Sequence, residues 1–210
     1  NLQQDGYILL GTRMGEIKRM NFSSMSNIRS NGLISMDLEP GDEVVSAWLA
    51  GEDDEVVMVT EMGMAARFPI ANVRVSSRLS GGVRGIRLDS GDRVMSMDVV
   101  IPGAQLLVLS RNGFGKLTPI QAYRRTKRGA KGVITFRITD KTGPVAAAHV
   151  ILDATEVMLV SEKGNVERVL LSEIRVKGRV TQGVMIMRPK IEGDHFVAVA
   201  SMNGLLGSTK

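Results

Sequence analysis

Between Arg111 and Thr139 the sequence holds eight cations, Arg111, Lys116, Arg124, Arg125, Lys127, Arg128, Lys131 and Arg137, and no acid. Like charges at that density repel one another in water unless an external anion compensates them. Within the stretch, Arg128-Gly129-Ala130-Lys131-Gly132 has the composition of a phosphate-contacting loop. Small residues let backbone amides approach an anion while Arg and Lys supply charge. The G-x-x-x-x-G-K-[ST] spacing of a nucleotide P-loop is absent, as is a helix to follow it, so ATP binding by this loop is not expected.

Other reactive side chains do not assemble into a catalytic set. The only histidines, His149 and His195, fall in or beside expected strands about one repeat apart and read as repeat-equivalent structural residues. No triad and no H-E-x-x-H is present. Glu52-Asp53-Asp54-Glu55 reads as a solvated turn between strands rather than a Mg²⁺ site. Tyr123, followed by two arginines, reads as a packing residue or a sugar-phosphate contact, because no carboxylate cluster lies near it to make it a metal-assisted nucleophile. There is no cysteine, which excludes thiolate chemistry and disulfides and makes a reducing cytoplasm the default compartment.

The elements that must position these charges come in four copies. Apolar runs precede Gly15, Gly63, Gly113 and Gly164, at steps of 48, 50 and 51 residues, and a second series, Gly32, Gly82, Gly132 and Gly183, keeps steps of 50, 50 and 51. A third mark, Gly41-Asp42, Gly91-Asp92 and Gly193-Asp194, is replaced in the third copy by Lys141-Thr142-Gly143. Each copy reads as four short strands: the apolar run, a strand after the first glycine (Glu16 to Met20, Ala65 to Phe68, Gly115 to Thr118, Val166 to Leu170), one after the second glycine, and one after the Gly-Asp turn. No stretch sustains a 3.6-residue apolar period, so helical solenoids are disfavoured. Four-stranded repeats of about 50 residues predict an all-β, propeller-like array of blades. The repeats run over about 7–55, 56–105, 106–156 and 157–204 of one domain, 1–210.

The basic residues share this beat. Arginine stands eight residues before the second glycine series at Arg74, Arg124 and Arg175, four before it at Arg78, Arg128 and Arg179, and five after it at Arg87, Arg137 and Arg188. The first copy has Ser24, Ile28 and Asp37 at those places. In a ring of like blades equal phase means equal position on the rim, so the expectation is a basic band, which suits a long polyanion such as duplex DNA. A formal charge of +5 points the same way. At 210 residues the chain is long enough for a self-supporting core, and no apolar run reaches the roughly 20 residues of a membrane helix. No signal peptide is read in its first residues.

Thr126-Lys127-Arg128-Gly129-Ala130-Lys131-Gly132 resembles the Q-R-R-G-G-K-G box of the C-terminal domain of DNA gyrase A, with Thr126, Lys127 and Ala130 as departures. Gly82-Val83-Arg84-Gly85-Ile86-Arg87-Leu88, Gly91-Asp92-Arg93-Val94 and Thr181-Gln182-Gly183-Val184 extend the resemblance over nearly the whole chain. The resemblance implies later blades of a β-pinwheel, a strand-exchanged relative of the propeller, with the true box upstream of Asn1. It implies a non-catalytic module that wraps double-stranded DNA and supports ATP-dependent negative supercoiling by a bacterial type IIA topoisomerase. The partners implied are the rest of gyrase A and the gyrase B protein in a heterotetramer, in a cytoplasmic, nucleoid-associated setting, with ATP and Mg²⁺ used on other domains and no cofactor here. The residues expected to hold phosphates are Arg67, Arg74, Arg78, Lys116, Arg124, Arg125, Lys127, Arg128, Lys131, Arg175, Lys177 and Arg179. Two alternatives stay open: the C-terminal domain of the equivalent topoisomerase IV protein, and a protein-interaction β-propeller.

Overall fold

The computed structural model describes residues 6–25 and 32–202, so Ile28 and the last residues of the fourth repeat lie outside the described residues. Among the described residues the elements are strands and single 3-10 turns. The first sheet is built on the hairpin Tyr7–Thr12 (β1) and Glu16–Asn21 (β2), with Val44–Ala50 (β3) beside β1. The second is built on Glu55–Thr60 (β4) and Met64–Pro69 (β5), with Val94–Val99 (β7) beside β4.

What completes these sheets departs from four strands taken within one repeat and agrees with the strand exchange that a β-pinwheel implies. Val83–Arg84 (β6), the strand after Gly82, pairs not with its own repeat but with β2, Glu16 opposite Arg84 and Ile17 opposite Val83. Val133–Ile134 (β10) likewise takes the outer place beside β5. The strand expected after Gly32 does not form, and residues 33–39 carry none. These short strands exist by completing the sheet of the preceding repeat, and among the described residues no sheet precedes the first.

The third sheet repeats the plan with Gln105–Ser110 (β8), Phe114–Pro119 (β9) and Val145–Ile151 (β11), completed by Val184–Met185 (β14) on β9. The fourth has three strands, Val166–Leu170 (β13), Glu156–Ser161 (β12) and Phe196–Met202 (β15) in that order.

Packing falls into two compact units. The first takes in Asn1–Thr60, Met64–Val100 and Arg124–Val133, and its core gathers Leu9, Ile17, Val56, Met58, Phe68, Ile86 and Met97. There β3 packs on β7, and Trp48 Nε1 donates to the Met97 carbonyl at 2.5 Å. The second takes in Glu61–Gly63, Ile101–Tyr123 and Ile134–Lys210, around Leu107, Leu109, Val157, Leu159, Val169 and Phe196, with β11 packed on β15. Each such side chain fully buried is worth about 1.5–3 kcal/mol, which is why the apolar runs form the inner strands.

The hairpins are closed by a device that the glycine pattern alone does not reveal. Thr12, Thr60, Ser110 and Ser161 end their strands with buried hydroxyls, which accept from the amides of Glu16, Met64, Phe114 and Asn165 at 3.1, 3.2, 3.2 and 3.1 Å. Each stands three residues before its turn glycine. At Gly113, φ is +81° and a Cβ would come within 1.7 Å of the Met187 carbonyl oxygen, so no other residue fits.

The Gly-Asp marks tie these turns down. Asp42 Oδ1 accepts from the amides of Met14 and Glu43. Asp194 accepts from Ser161 Oγ, the amides of Lys163 and His195, and Asn165 Nδ2, at 2.6, 3.1, 2.9 and 3.1 Å. Burial works against the Asp194 charge, but the four hydrogen bonds outweigh it and hold its carboxyl down at about 2. In the third copy Thr142 turns back on Thr139 instead, with its amide on Thr139 Oγ1 at 3.3 Å.

Candidate nucleic-acid interface

The cationic segments share one local construction. After the second strand of a repeat comes a 3-10 turn, Ile70–Asn72, Ile120–Ala122 or Leu171–Glu173, and then a buried anchor, Val73, Tyr123 or Ile174. The chain is extended there, so the residue after each anchor must face the opposite way. Those residues are Arg74, Arg124 and Arg175, all exposed. The next residues, Val75, Arg125 and Val176, form parallel bridges to Arg19, Arg67 and Leu117 in the middle of β2, β5 and β9. The three arginines thus occupy the same local station, as their phase predicts. No described residue gives any of their guanidinium groups a hydrogen bond or an ion pair.

In the first unit Arg74 and Arg124 are joined by exposed Lys127, which has no ion pair among the described residues. Arg125 is exposed and pairs with Glu55 Oε1 at 2.8 Å, while Arg67 pairs with Oε2 of the same carboxylate at 2.6 Å and is half-buried. Lys131 pairs with Asp89 at 2.6 Å. The loop that resembles the box is pinned at both ends. Thr126 donates its amide to the Arg67 carbonyl at 2.8 Å, and at Gly132, with φ +84°, a Cβ would lie 2.2 Å from the Ala65 oxygen. Between them the Gly129 amide donates to the Gly85 carbonyl at 2.6 Å and the Ala130 carbonyl accepts from the Arg87 amide at 3.0 Å.

Arg78 and Arg128 stand apart from this exposed group. Each is half-buried, Arg78 donating to the Ile34 carbonyl at 2.9 Å and Arg128 to the carbonyls of Arg84 and Asn72 at 2.6 and 3.0 Å. In the second unit, Arg175 and Lys177 are exposed and half-buried Arg179 donates to the Ile134 carbonyl at 2.7 Å. Arg87 in the first unit and Arg137 and Arg188 in the second are exposed.

Lys116 requires a correction. Expected as a phosphate contact, it is fully buried, and its ammonium donates to the carbonyls of Gly178, Arg179 and Thr181 at 2.7, 2.6 and 3.0 Å. Burial pushes its amine down to about 8, with the Arg179 charge adding to the push. Lys18 does the same in the first unit, reaching the carbonyls of Arg78 and Ser80 at 2.7 and 2.6 Å. Burial lowers its amine, and Asp37 opposes the shift while Arg78 adds to it. A signal was available: Lys18 and Lys116 each stand three residues past a turn glycine, inside a strand.

The remaining chemistry-bearing residues are structural. Tyr123 is buried and shares a hydrogen bond of 2.6 Å with Thr135, and burial raises its phenol, so it packs and does not touch a ligand backbone. The histidines are not repeat-equivalent. Phe196 and Val145 hold matching places opposite Ser161 and Ser110, which puts His195 in phase with Pro144 and His149 with Ala200. His195 lies 3.2 Å from Glu162, and His149 lies 3.2 Å from Ser201 Oγ. In the acidic turn, Glu52 takes the Tyr7 hydroxyl and the Arg19 guanidinium, and Asp54 takes the Gly51 amide.

Comparison with known proteins identifies the relatives of this arrangement. The family model described as DNA gyrase C-terminal domain, beta-propeller, matches residues 6–47, 54–101, 104–151 and 155–201. The DNA gyrase A protein of Dehalogenimonas lykanthroporepellens is 42% identical over 201 residues, covering 93% of this chain and 25% of that protein. A solved DNA gyrase A C-terminal domain superposes with a TM-score of 0.87 at 28% identity, covering 97% of this chain and 68% of the other. A DNA topoisomerase IV C-terminal domain gives 0.88 at 23% identity, covering 95% and 62%, a likeness of fold. The chain spans about a quarter of the length of the curated relatives it matches. On its sequence and on its all-β, propeller-type fold, the chain belongs to the DNA gyrase C-terminal domain family.

Proposed function

We propose that this chain is a non-catalytic module that binds and wraps double-stranded DNA within DNA gyrase, supporting negative supercoiling by the whole enzyme. The observation that carries the reading is the shared station of Arg74, Arg124 and Arg175, exposed and without an ion pair among the described residues. Unpaired guanidinium groups are free to replace the counterions of a phosphate backbone, and with no recognition helix among the described residues the contact tolerates any sequence. Smooth bending of a few tens of base pairs costs on the order of 1–10 kcal/mol, which several phosphate contacts offset at moderate salt. The remainder of gyrase A, together with gyrase B, supplies cleavage and ATP hydrolysis with Mg²⁺ in this proposal, in a cytoplasmic, nucleoid-associated enzyme. No helix among the described residues is long and apolar enough to cross a membrane.

The test is duplex binding measured against salt. Wild type should show a steep fall in affinity with rising salt, and a triple charge reversal, R74E/R124E/R175E, should flatten it. Relaxed circles ligated in the presence of the wild-type chain should shift in linking number. Equal salt slopes for the two proteins would defeat the wrapping role and favour a protein-interaction surface.

A further inference from the structure

The periodic arginines divide into two groups with different work. We infer that Arg78, Arg128 and Arg179 are positioning residues, each holding an inter-strand segment in place so that Arg74, Arg124 and Arg175 face outward. The inference rests on the DNA-binding reading for its functional consequence, but its geometry stands apart from that reading.

The contact recurs three times with the same partners in phase. Ile34, Arg84 and Ile134 each lie two residues past a glycine of the second series, and their carbonyls accept from Arg78, Arg128 and Arg179 of the following repeat at 2.9, 2.6 and 2.7 Å. A side chain held there has its in-plane donors aimed at the protein's own backbone. Arg128 bonds through two nitrogens at once, Nε to Asn72 and an Nη to Arg84, a pair of contacts spread along a planar group that the single ammonium of lysine does not reproduce.

Two of the segments have a second hold from beneath. Lys18 grips the carbonyls of Arg78 and Ser80, and Lys116 those of Arg179 and Thr181. The residue at that place in the second repeat, three past Gly63, is Ala66, which reaches nothing. There Arg128 makes the additional bond to the Asn72 carbonyl at 3.0 Å. The segment 124–132 therefore depends on Arg128 in a way that 175–183 does not depend on Arg179.

Amide hydrogen exchange on the DNA-free chain tests this. R128K is expected to speed exchange at Gly129, whose amide is bonded to Gly85, at least tenfold, while R179K changes the amide of Thr181 less than threefold and R124K changes nothing. In duplex binding, R128K should lose about as much affinity as R128A despite keeping its charge. Unchanged exchange in R128K, with full affinity retained, would overturn the inference and make Arg128 a direct phosphate contact. Wild type without salt-dependent duplex binding would remove the DNA reading alone and leave the exchange result to decide the positioning role. Should R128K fold poorly, R128Q read by the same exchange serves in its place.

Discussion

The ammonium of Lys116, in the middle of β9, lies 2.6 Å from the carbonyl oxygen of Arg179, sixty-three residues further along the chain. A cation that looks from the sequence like a ligand contact is a buttress for the segment that carries the exposed ones.

Replacing it should unfasten that segment. Lys116→Met removes the donor shared by the carbonyls of Gly178, Arg179 and Thr181, and the expected loss is on the order of 1–3 kcal/mol in urea unfolding. The pH dependence has a definite sign. The folded-state amine is lowered to about 8 from 10.5, so between those values the unfolded chain binds the extra proton and stability rises with pH. Below about 8 the penalty is fully present. Wild type should gain stability from pH 8 to 10.5 relative to Lys116→Met, and parallel curves for the two proteins would contradict this.

Asp194 governs the acid side. Its folded carboxyl is held at about 2 against an ordinary 3.8, so its contribution is complete above 3.8 and lost as pH falls through 2. Asp194→Asn should lower the melting temperature at neutral pH and remove part of the acid dependence between 4 and 2, both measurable by circular dichroism.

Gly132→Ala should fail for two reasons at once, a positive φ of +84° and a Cβ 2.2 Å from the Ala65 oxygen. A loss of about 2–4 kcal/mol is expected, with the exchange of β5 amides rising as β10 detaches. Gly164→Ala has the φ of +83° without a neighbour within 4 Å, so it should cost about 1–2 kcal/mol.

Arg124→Ala removes one exposed cation with no partner to strand. Its stability should stay within about 0.5 kcal/mol of wild type. The slope of log affinity against log salt should fall by about 0.9, one phosphate contact, and a slope unchanged within error would show that Arg124 does not touch the duplex.

Much of this architecture was legible from spacing. Turn glycines and apolar runs recur because each hairpin needs one residue at positive φ and one inner strand, buried on both faces in β4 and β8 and on alternate residues in β12. The common local station of Arg74, Arg124 and Arg175 is legible as equal phase, but phase does not separate these exposed residues from Arg78, Arg128 and Arg179, which recur as regularly and are half-buried. The ownership of β6, β10 and β14 is not legible from spacing, because two-residue strands have too few positions to show a period and their pairing is decided by a neighbour's edge. The burial of Lys116 is marked in the sequence only by its place three residues past a turn glycine, which Lys18 shares, and the carbonyls that receive it lie across the fold. Ser110 and its counterparts went unnoticed because a single hydroxyl three residues before a glycine weighs little until four copies are aligned. His149 and His195 were paired by their separation, and only strand register showed them out of phase.

The loan of a short strand to the preceding sheet sets the order of events during synthesis. Glu16 must wait for Arg84, and Phe114 for Met185, before their sheets are complete. A growing chain therefore carries an unfinished edge on its newest sheet for about seventy residues of translation, and β-edges in that state are sticky. Anyone trimming this array should cut after a borrowed strand, not at the glycine-marked end of a repeat, since a cut there strips the last sheet of its closing piece.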